Sequence, residues 1–364
     1  MQLNKISISN YKNILQAELE FSPKINCFIG NNGVGKTNML DAIYYLSFCK
    51  SYSNNIDSQN INHGESFFFI DGFYTHRDTE EHIYCALKNR QKKVFRRNKK
   101  EYERLADHIG LLPLVLISPA DSALIGDGSE ERRKFIDGVI SQYDRLYLSA
   151  LLRYNKTLAQ RNRLLKNAQI DAELIDILNL NLSETGLYIY EKRIEFIRDF
   201  IPVFQKYYDF ISENKEKVGL AYTSQLAKGD FLSLLGQSFE RDKILGYTTK
   251  GIHKDDLEMT LGGFPIKRVG SQGQNKTYLI ALKLAQFDFL KQTSGVHPIL
   301  LLDDIFDKLD AERVHQIIKL VSEDYFGQIF ITDTNRKNLD EILGTVNDHY
   351  RLFFVTDGKI SILQ

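Results

Sequence analysis

The chain has 364 residues, 43% of them hydrophobic and 26% charged, the make-up of a folded globular protein with room for two lobes. Its 47 Lys and Arg balance 47 Asp and Glu, so composition excludes a global attraction to polyanions and leaves only a local patch for any nucleic acid. Three cysteines, Cys27, Cys49 and Cys85, show neither paired metal spacing nor a disulfide framework, and no apolar run approaches a membrane span, so a cytoplasmic protein with no membrane partner is expected.

At the N-terminus Leu3, Ile6 and Ile8 alternate with polar residues as in a strand, without the long apolar core of a signal peptide. Short strand-like runs separated by turns continue to about residue 126, clearest at 24–29 and 111–117. From about residue 129 to 215 helical periodicity replaces them, after which strands resume, clearest at 296–302 and 328–331. The expected organisation is α/β, with one lobe built from 1–126 and 246–364 and a mainly helical second lobe, 127–245, inserted between them.

In the insertion, Leu187, Tyr190, Ile194, Ile197, Ile201, Phe204, Tyr208 and Ile211 alternate spacings of three and four, as do Ile136, Ile140, Tyr143, Tyr147, Ala150 and Tyr154. Two such helices, joined by the segment 168–184, would pair antiparallel, each about 40 Å long. They would form either a short coiled arm or a packed helical lobe. Pro202 predicts a kink or an interruption, because it lacks a donor and clashes with the preceding turn.

The chemistry begins where the apolar Ile25-Asn26-Cys27-Phe28-Ile29 runs into Gly30-Asn31-Asn32-Gly33-Val34-Gly35-Lys36-Thr37 and then into a helical pattern. That is a Walker A motif in its required strand–loop–helix context. Its glycines let backbone N–H groups turn inward around a phosphate at a helix N-terminus, Lys36 reaches the β- and γ-phosphates, and Thr37 sits on Mg²⁺. Far downstream, the apolar 298–302 ends in Asp303 and Asp304, a Walker B pattern that delivers carboxylates at the end of a buried strand. Asp303 is expected to hold Mg²⁺ through its water shell and Asp304 to act as general base on the attacking water. The expected cofactors are ATP and Mg²⁺, and the expected catalytic groups are Lys36 and Asp304.

Between the two motifs, Ser271-Gln272-Gly273-Gln274 opens a helical stretch whose Leu279, Leu282 and Ala285 share one apolar face. Ser271 and the Gly273 backbone thus stand at a helix N-terminus suited to an anionic oxygen, although such a turn also serves simply as a cap. Eight cations, Lys88, Arg90, Lys92, Lys93, Arg96, Arg97, Lys99 and Lys100, crowd one probable hairpin around Phe95. It is either a salt-sensitive DNA contact, with Lys92, Lys93, Arg96, Arg97, Lys99 and Lys100 the candidates, or a solvated hairpin. Arg153, Lys156, Arg161, Arg163 and Lys166 make a second ambiguous basic stretch.

Taken in order, P-loop, signature helix, Walker B and Leu309-Asp310 resemble the head of an ABC- or SMC-type P-loop NTPase. Over nearly the whole chain the resemblance is to the RecF family. It rests on Ile8-Ser9-Asn10-Tyr11-Lys12-Asn13, Ser118-Pro119 with Asp121, Arg132-Arg133-Lys134-Phe135-Ile136-Asp137, Gln160-Arg161-Asn162, and Gly251 with His253 and Asp255-Asp256-Leu257, besides the motifs above. Ala120, Ile252 and Lys254 depart from the family's usual Glu, Pro and Arg, and Asp304 stands where most ABC-type heads have Glu. The resemblance implies an ATP-dependent homodimer in which Ser271 and Gly273 contact the γ-phosphate held by the opposite subunit, with Asp310 as the D-loop aspartate and Lys12 and Asn13 near the nucleotide. It further implies binding to single-stranded and gapped duplex DNA, work with RecO and RecR to load RecA in DNA repair and the SOS response, and slow, DNA-stimulated ATP hydrolysis. An ABC-type ATPase with another partner, or an ATP-sensing module without turnover, is the alternative.

Overall fold

The structure, a computed structural model, describes residues 1–167, 169–306, 309–322, 325–334 and 350–363. Strands β1 (Gln2–Tyr11) and β2 (Ile14–Glu20) form a hairpin, and β3 (Ile25–Ile29) leads into helix α1 (Lys36–Phe48). Then come β4 (Phe67–His76), β5 (Thr79–Lys88), β6 (Val94–Arg97), β7 (Lys100–Glu101) and β8 (Leu114–Ile117). The next stretch holds α2 (Ala123–Gly126), α3 (Ser129–Ile140), α4 (Arg145–Leu164), α5 (Ala172–Ser212), β9 (Val218–Thr223), α6 (Phe231–Gln237) and α7 (Phe239–Leu245). It continues through β10 (Asp256–Leu261), β11 (Phe264–Pro265) and α8 (Ile266–Val269). The chain closes with α9 (Gln272–Ser294), β12 (Ile299–Asp303), α10 (Ala311–Ser322), β13 (Ile329–Asp333), β14 (Tyr350–Thr356) and β15 (Lys359–Ile362).

Contacts divide the chain into a unit of residues 1–122, 210–213 and 272–364 and a unit of residues 123–209 and 214–271. The first holds two six-stranded sheets, ordered β2-β1-β4-β5-β6-β7 and β15-β14-β3-β13-β12-β8. In the second sheet β14, β3, β13, β12 and β8 run parallel, and every residue of β3, β13, β12 and β8 is buried. Covered on both faces, such strands read as unbroken apolar runs, which is why 25–29 and 299–302 stood out in the sequence. Helix α1 sits in one core with both sheets, its Met39, Leu40, Ile43 and Leu46 clustered with Leu3, Ile6, Ile8, Phe68, Ile70, Leu301 and Phe330. Each such side chain contributes about 1.5–3 kcal/mol on leaving water. Parallel order puts the ends of β3 and β12 at one edge of the sheet, separated only by β13.

The second unit is a packed helical lobe around the three-stranded sheet β11-β10-β9. Because β10 pairs with β9 from Asp256↔Thr223 to Leu261↔Val218, residues 246–271 group with this unit. The boundaries therefore fall at 122/123 and 271/272, not at the expected 126/127 and 245/246. The helices differ from expectation too. Residues 141–144 break the first seam, with Asp144 capping α4 by accepting from the Tyr147 N–H at 2.9 Å. Helix α5 runs 41 residues without interruption at Pro202 and already begins at Ala172, so most of the expected connection is helical. Ala168, where that connection was to begin, lies outside the described residues. Leu187 and Ile194 of the expected seam are 49% and 42% exposed. Ile197, Phe204, Tyr208 and Ile211 of that seam are buried, and the buried side also takes in Leu182, Ile189, Phe196, Phe200 and the charged Arg193, whose ion pairs let it be taken inside.

Candidate nucleotide site

The loop after β3 is shaped before any ligand arrives. Gly35 adopts φ 113°, and a β-carbon there would stand 2.5 Å from Asn13 Oδ1, so only glycine fits. The Asn13 amide donates to the Val34 carbonyl at 2.9 Å and accepts from the Asn38 side chain at 2.8 Å. A second donor reaches the same carbonyl from the C-terminal hairpin, the Gly358 N–H at 2.9 Å. Held from two sides, the loop leaves Asn31, Asn32 and Gly33 exposed around its mouth. Lys36 lies across it, donating to the carbonyls of Gly30 at 2.8 Å and Asn31 at 2.9 Å. Burial pushes the Lys36 pKa down, against the opposing pull of Asp304, Asp303 and Asp333.

Asp303 ends β12 and is almost fully buried. Its Oδ1 accepts from Thr37 Oγ1 at 3.0 Å and from Thr332 Oγ1 at 2.6 Å, and its Oδ2 from the Tyr52 hydroxyl at 3.1 Å. Thr332 is in place because β13 pairs with β12 in the register Asp303↔Thr332. The next residue, Asp304, is turned out of the strand at φ 50°, and its N–H donates to the Thr332 carbonyl at 3.2 Å and hydroxyl at 3.1 Å. A non-glycine residue in this left-handed region is uncommon, although Asp tolerates it better than most. The Thr37 and Asp303 oxygens are a hard donor set that fits Mg²⁺. Among the described residues no three His, Cys, Asp or Glu gather as a metal cluster. A cation here would take most of its ligands from phosphate and water, as Mg²⁺ does.

Sequence reasoning missed what orients Tyr52. Asp41, on α1 and fully buried, accepts from the Tyr11 hydroxyl at 2.6 Å, the Ser51 hydroxyl at 2.7 Å and the Tyr52 N–H at 2.9 Å, and pairs with Lys12. This carboxylate ties the loop after α1 to the back of the P-loop helix and aims Tyr52 at Asp303. Lys12, expected beside the nucleotide, is spent on Asp41 and on Ser53 Oγ at 2.5 Å, whereas Asn13 braces the loop itself. A mid-helix aspartate carries no signal in a lone sequence that would separate it from a surface residue.

Ser271 and Gln272 are exposed where α9 begins, and Gly273 and Gln274 are half-buried in its first turn. Asp310 caps α10, its Oδ1 accepting from the Arg313 N–H at 2.9 Å. Arg313 in turn donates to Thr277 Oγ1 at 3.0 Å, linking α10 to α9.

A family profile described as the RecF/RecN/SMC N terminal domain matches residues 2–361. The DNA replication and repair protein RecF of Phocaeicola vulgatus is 62% identical over 99% of this chain and 98% of its own length, and that of Porphyromonas gingivalis 51% over 99% and 100%. This chain belongs to the RecF family. Among solved structures, one described as the recombination mediator protein RecF-ATP in the RecFOR pathway superposes on this RecF-family chain with a TM-score of 0.89. It is 30% identical and covers 100% of this chain and 98% of that one. The Smc head domain of Pyrococcus furiosus, 17% identical with a TM-score of 0.60, shares the fold. The ABC/SMC-type head expected from motif order is thus the fold of this RecF-family protein.

The basic hairpin of this family member divides its cations. Phe95 is buried and Lys93 is largely out of water, while the Arg97 side chain stays 40% exposed. Lys93 donates to the Cys49 carbonyl at 2.6 Å and to Asp57 at 2.7 Å, and Arg97 pairs with the buried Glu81. Both of these cations are thus engaged within the fold. Lys92, Arg96, Lys99 and Lys100 stay exposed, with Lys88 and Arg90 beside them. On α4, Arg161 is likewise fully buried, paired with Asp242 at 2.8 Å.

Proposed function

We propose that this protein is an ATP-dependent recombination mediator that dimerises on ATP, binds gapped DNA at the boundary of single-stranded and duplex regions, and works with RecO and RecR to load RecA. Bound ATP supplies the phosphoanhydride bond that water cleaves, and Mg²⁺ supplies charge neutralisation beside it. The loop from Gly30 to Thr37 cradles the phosphates with backbone N–H groups and the start of α1. Lys36 exchanges its two loop carbonyls for phosphate oxygens, and Thr37 and Asp303 turn their oxygens toward the cation. Asp304 accepts the proton of the attacking water. Ser271, Gln272, Gly273 and Gln274 reach the γ-phosphate on a partner copy, which makes ATP part of the interface and ADP a poor substitute for it.

The observation that supports this reading best is Thr37 Oγ1 within 3.0 Å of Asp303 Oδ1, since it joins two motifs 266 residues apart into one oxygen pair beside the P-loop. The partners are supported by relatives described as a DNA replication and repair protein and as a recombination mediator in the RecFOR pathway. No helix among the described residues is long and apolar enough to cross a membrane. Asp304, one methylene shorter than Glu, favours slow turnover. Retention of a gapped duplex on the full chain, measured with ATP, ADP and no nucleotide, tests the reading. Retention that ATP increases and Asp303→Asn abolishes is expected, while equal retention in all three conditions contradicts it.

A further inference from the structure

The antiparallel sheet β2-β1-β4-β5-β6-β7 buries one face with α1, and among the described residues the side chains of its other face are half-buried or exposed. On that other face β4 and β5 present aromatic rings in cross-strand pairs. Phe73 lies flat on His82, with centroids 4.5 Å apart and planes 6° apart, and Phe69 on Tyr84 at 6.2 Å and 25°. Arg96 of β6 reaches over the Tyr84 ring, its guanidinium carbon 5.9 Å from the centroid. Phe73 and Phe67 are 41% and 39% exposed, unusual for phenylalanines in well-paired strands. Along the adjoining β5–β7 edge Lys88, Arg90, Lys92, Arg96, Lys99 and Lys100 are all exposed. The acids nearby are Glu101, 4.0 Å from Arg96, Asp71, which pairs with His82, and Glu80, exposed two residues before His82 on β5. Glu18 and Glu20 lie at the opposite edge, on β2, where Glu18 pairs with Lys5.

We infer that this face is a stacking platform for unpaired bases, with the phosphates of the same strand running along the cationic edge. The inference rests on the DNA reading above and assigns the single-stranded part of the DNA to this sheet. Aromatic faces take any base, and a neighbouring row of cations follows the backbone without reading sequence. A protein partner would favour an edge poor in lysine, whereas this one carries Lys88, Lys92, Lys99 and Lys100. A duplex hides the base faces that Phe73, Phe69 and Tyr84 would meet. Phe69 and Phe73, four residues apart on one strand, are separated by roughly 13 Å, room for more than one stacked base.

The test uses the full chain, a fluorescein-labelled oligothymidine and a short labelled duplex, read by anisotropy. Phe73→Leu and the double variant Phe69→Leu/Tyr84→Leu keep apolar bulk but lose the flat ring, and melting curves confirm that they fold. About tenfold or more weaker oligothymidine binding is expected, with duplex affinity within about twofold of wild type. Arg96→Gln, which leaves the sheet core untouched, is expected to weaken oligothymidine binding and flatten its salt dependence. Wild-type affinity for oligothymidine in all these variants overturns the platform while leaving the DNA reading intact. If the unaltered chain binds neither probe, that reading falls and the platform with it.

Discussion

Replacing Arg193 by alanine is expected to lower the unfolding free energy by about 3–5 kcal/mol, because it takes the ion-pair partner from the buried Asp255 and the mostly buried Asp137. Arg193 donates to both oxygens of Asp137 at 2.9 and 3.1 Å, to Asp255 at 3.3 Å, to the Ile252 carbonyl at 3.0 Å and to the Tyr147 hydroxyl at 3.1 Å. The side chains of Arg193 and Asp255 are essentially out of water. Burial raises the Asp255 pKa, and the Tyr222 hydroxyl and Arg193 act against that rise. Without the guanidinium that opposition weakens, and the carboxyl is driven further toward its neutral form. A melting midpoint lower by about 5–10 °C in scanning calorimetry is the expected reading. The control is Arg198→Ala on the same helix, whose pair with Asp199 is solvent-exposed and is expected to leave the midpoint nearly unchanged. Equal shifts in the two variants would show that the buried network does not hold this unit.

Lys36→Met is expected to weaken ATP binding by about 10- to 150-fold, the value of one charge-assisted hydrogen bond of roughly 1.5–3 kcal/mol. Folding should be spared. Lys36 bonds only loop carbonyls that water can satisfy once the mouth is open, and the braces at Val34, from Asn13 and Gly358, do not involve it. Calorimetric titration with ATP against an unchanged melting curve separates lost recognition from lost structure. Full ATP affinity in Lys36→Met would mean that the phosphates lie elsewhere.

Both halves of the nucleotide site were legible because each is a local pattern with an obligatory flank. Buried parallel strands must be apolar throughout, so 25–29 and 298–302 announced the residues that follow them. Gly35 was legible for the same kind of reason, as no other residue accepts its conformation beside Asn13. What stayed hidden depends on which side of an element faces inward. Phe95, Lys93 and Arg97 sit among exposed cations in sequence, yet pairing of β6 with β5 turns Phe95 into the core and sets Lys93 and Arg97 against Asp57 and Glu81. Arg161 read as part of a basic stripe and proved to be the buried partner of Asp242. The seam of three- and four-residue steps on α5 reached the buried Ile197, Phe204, Tyr208 and Ile211 but passed over Arg193, because a charged residue reads as outward-facing in sequence. The aromatic face of β4 and β5 was hidden because alternation shows that Phe69, Phe73 and Tyr84 share a side, but not that the side stays partly exposed.

Light scattering on the full chain with ATP, with ADP and without nucleotide, for the wild type and Ser271→Arg, is the measurement that bears most directly on the composite-site mechanism. The account predicts a doubled mass with ATP alone, retained by neither ADP nor Ser271→Arg. An unchanged single-chain mass at ATP concentrations that saturate binding would contradict it.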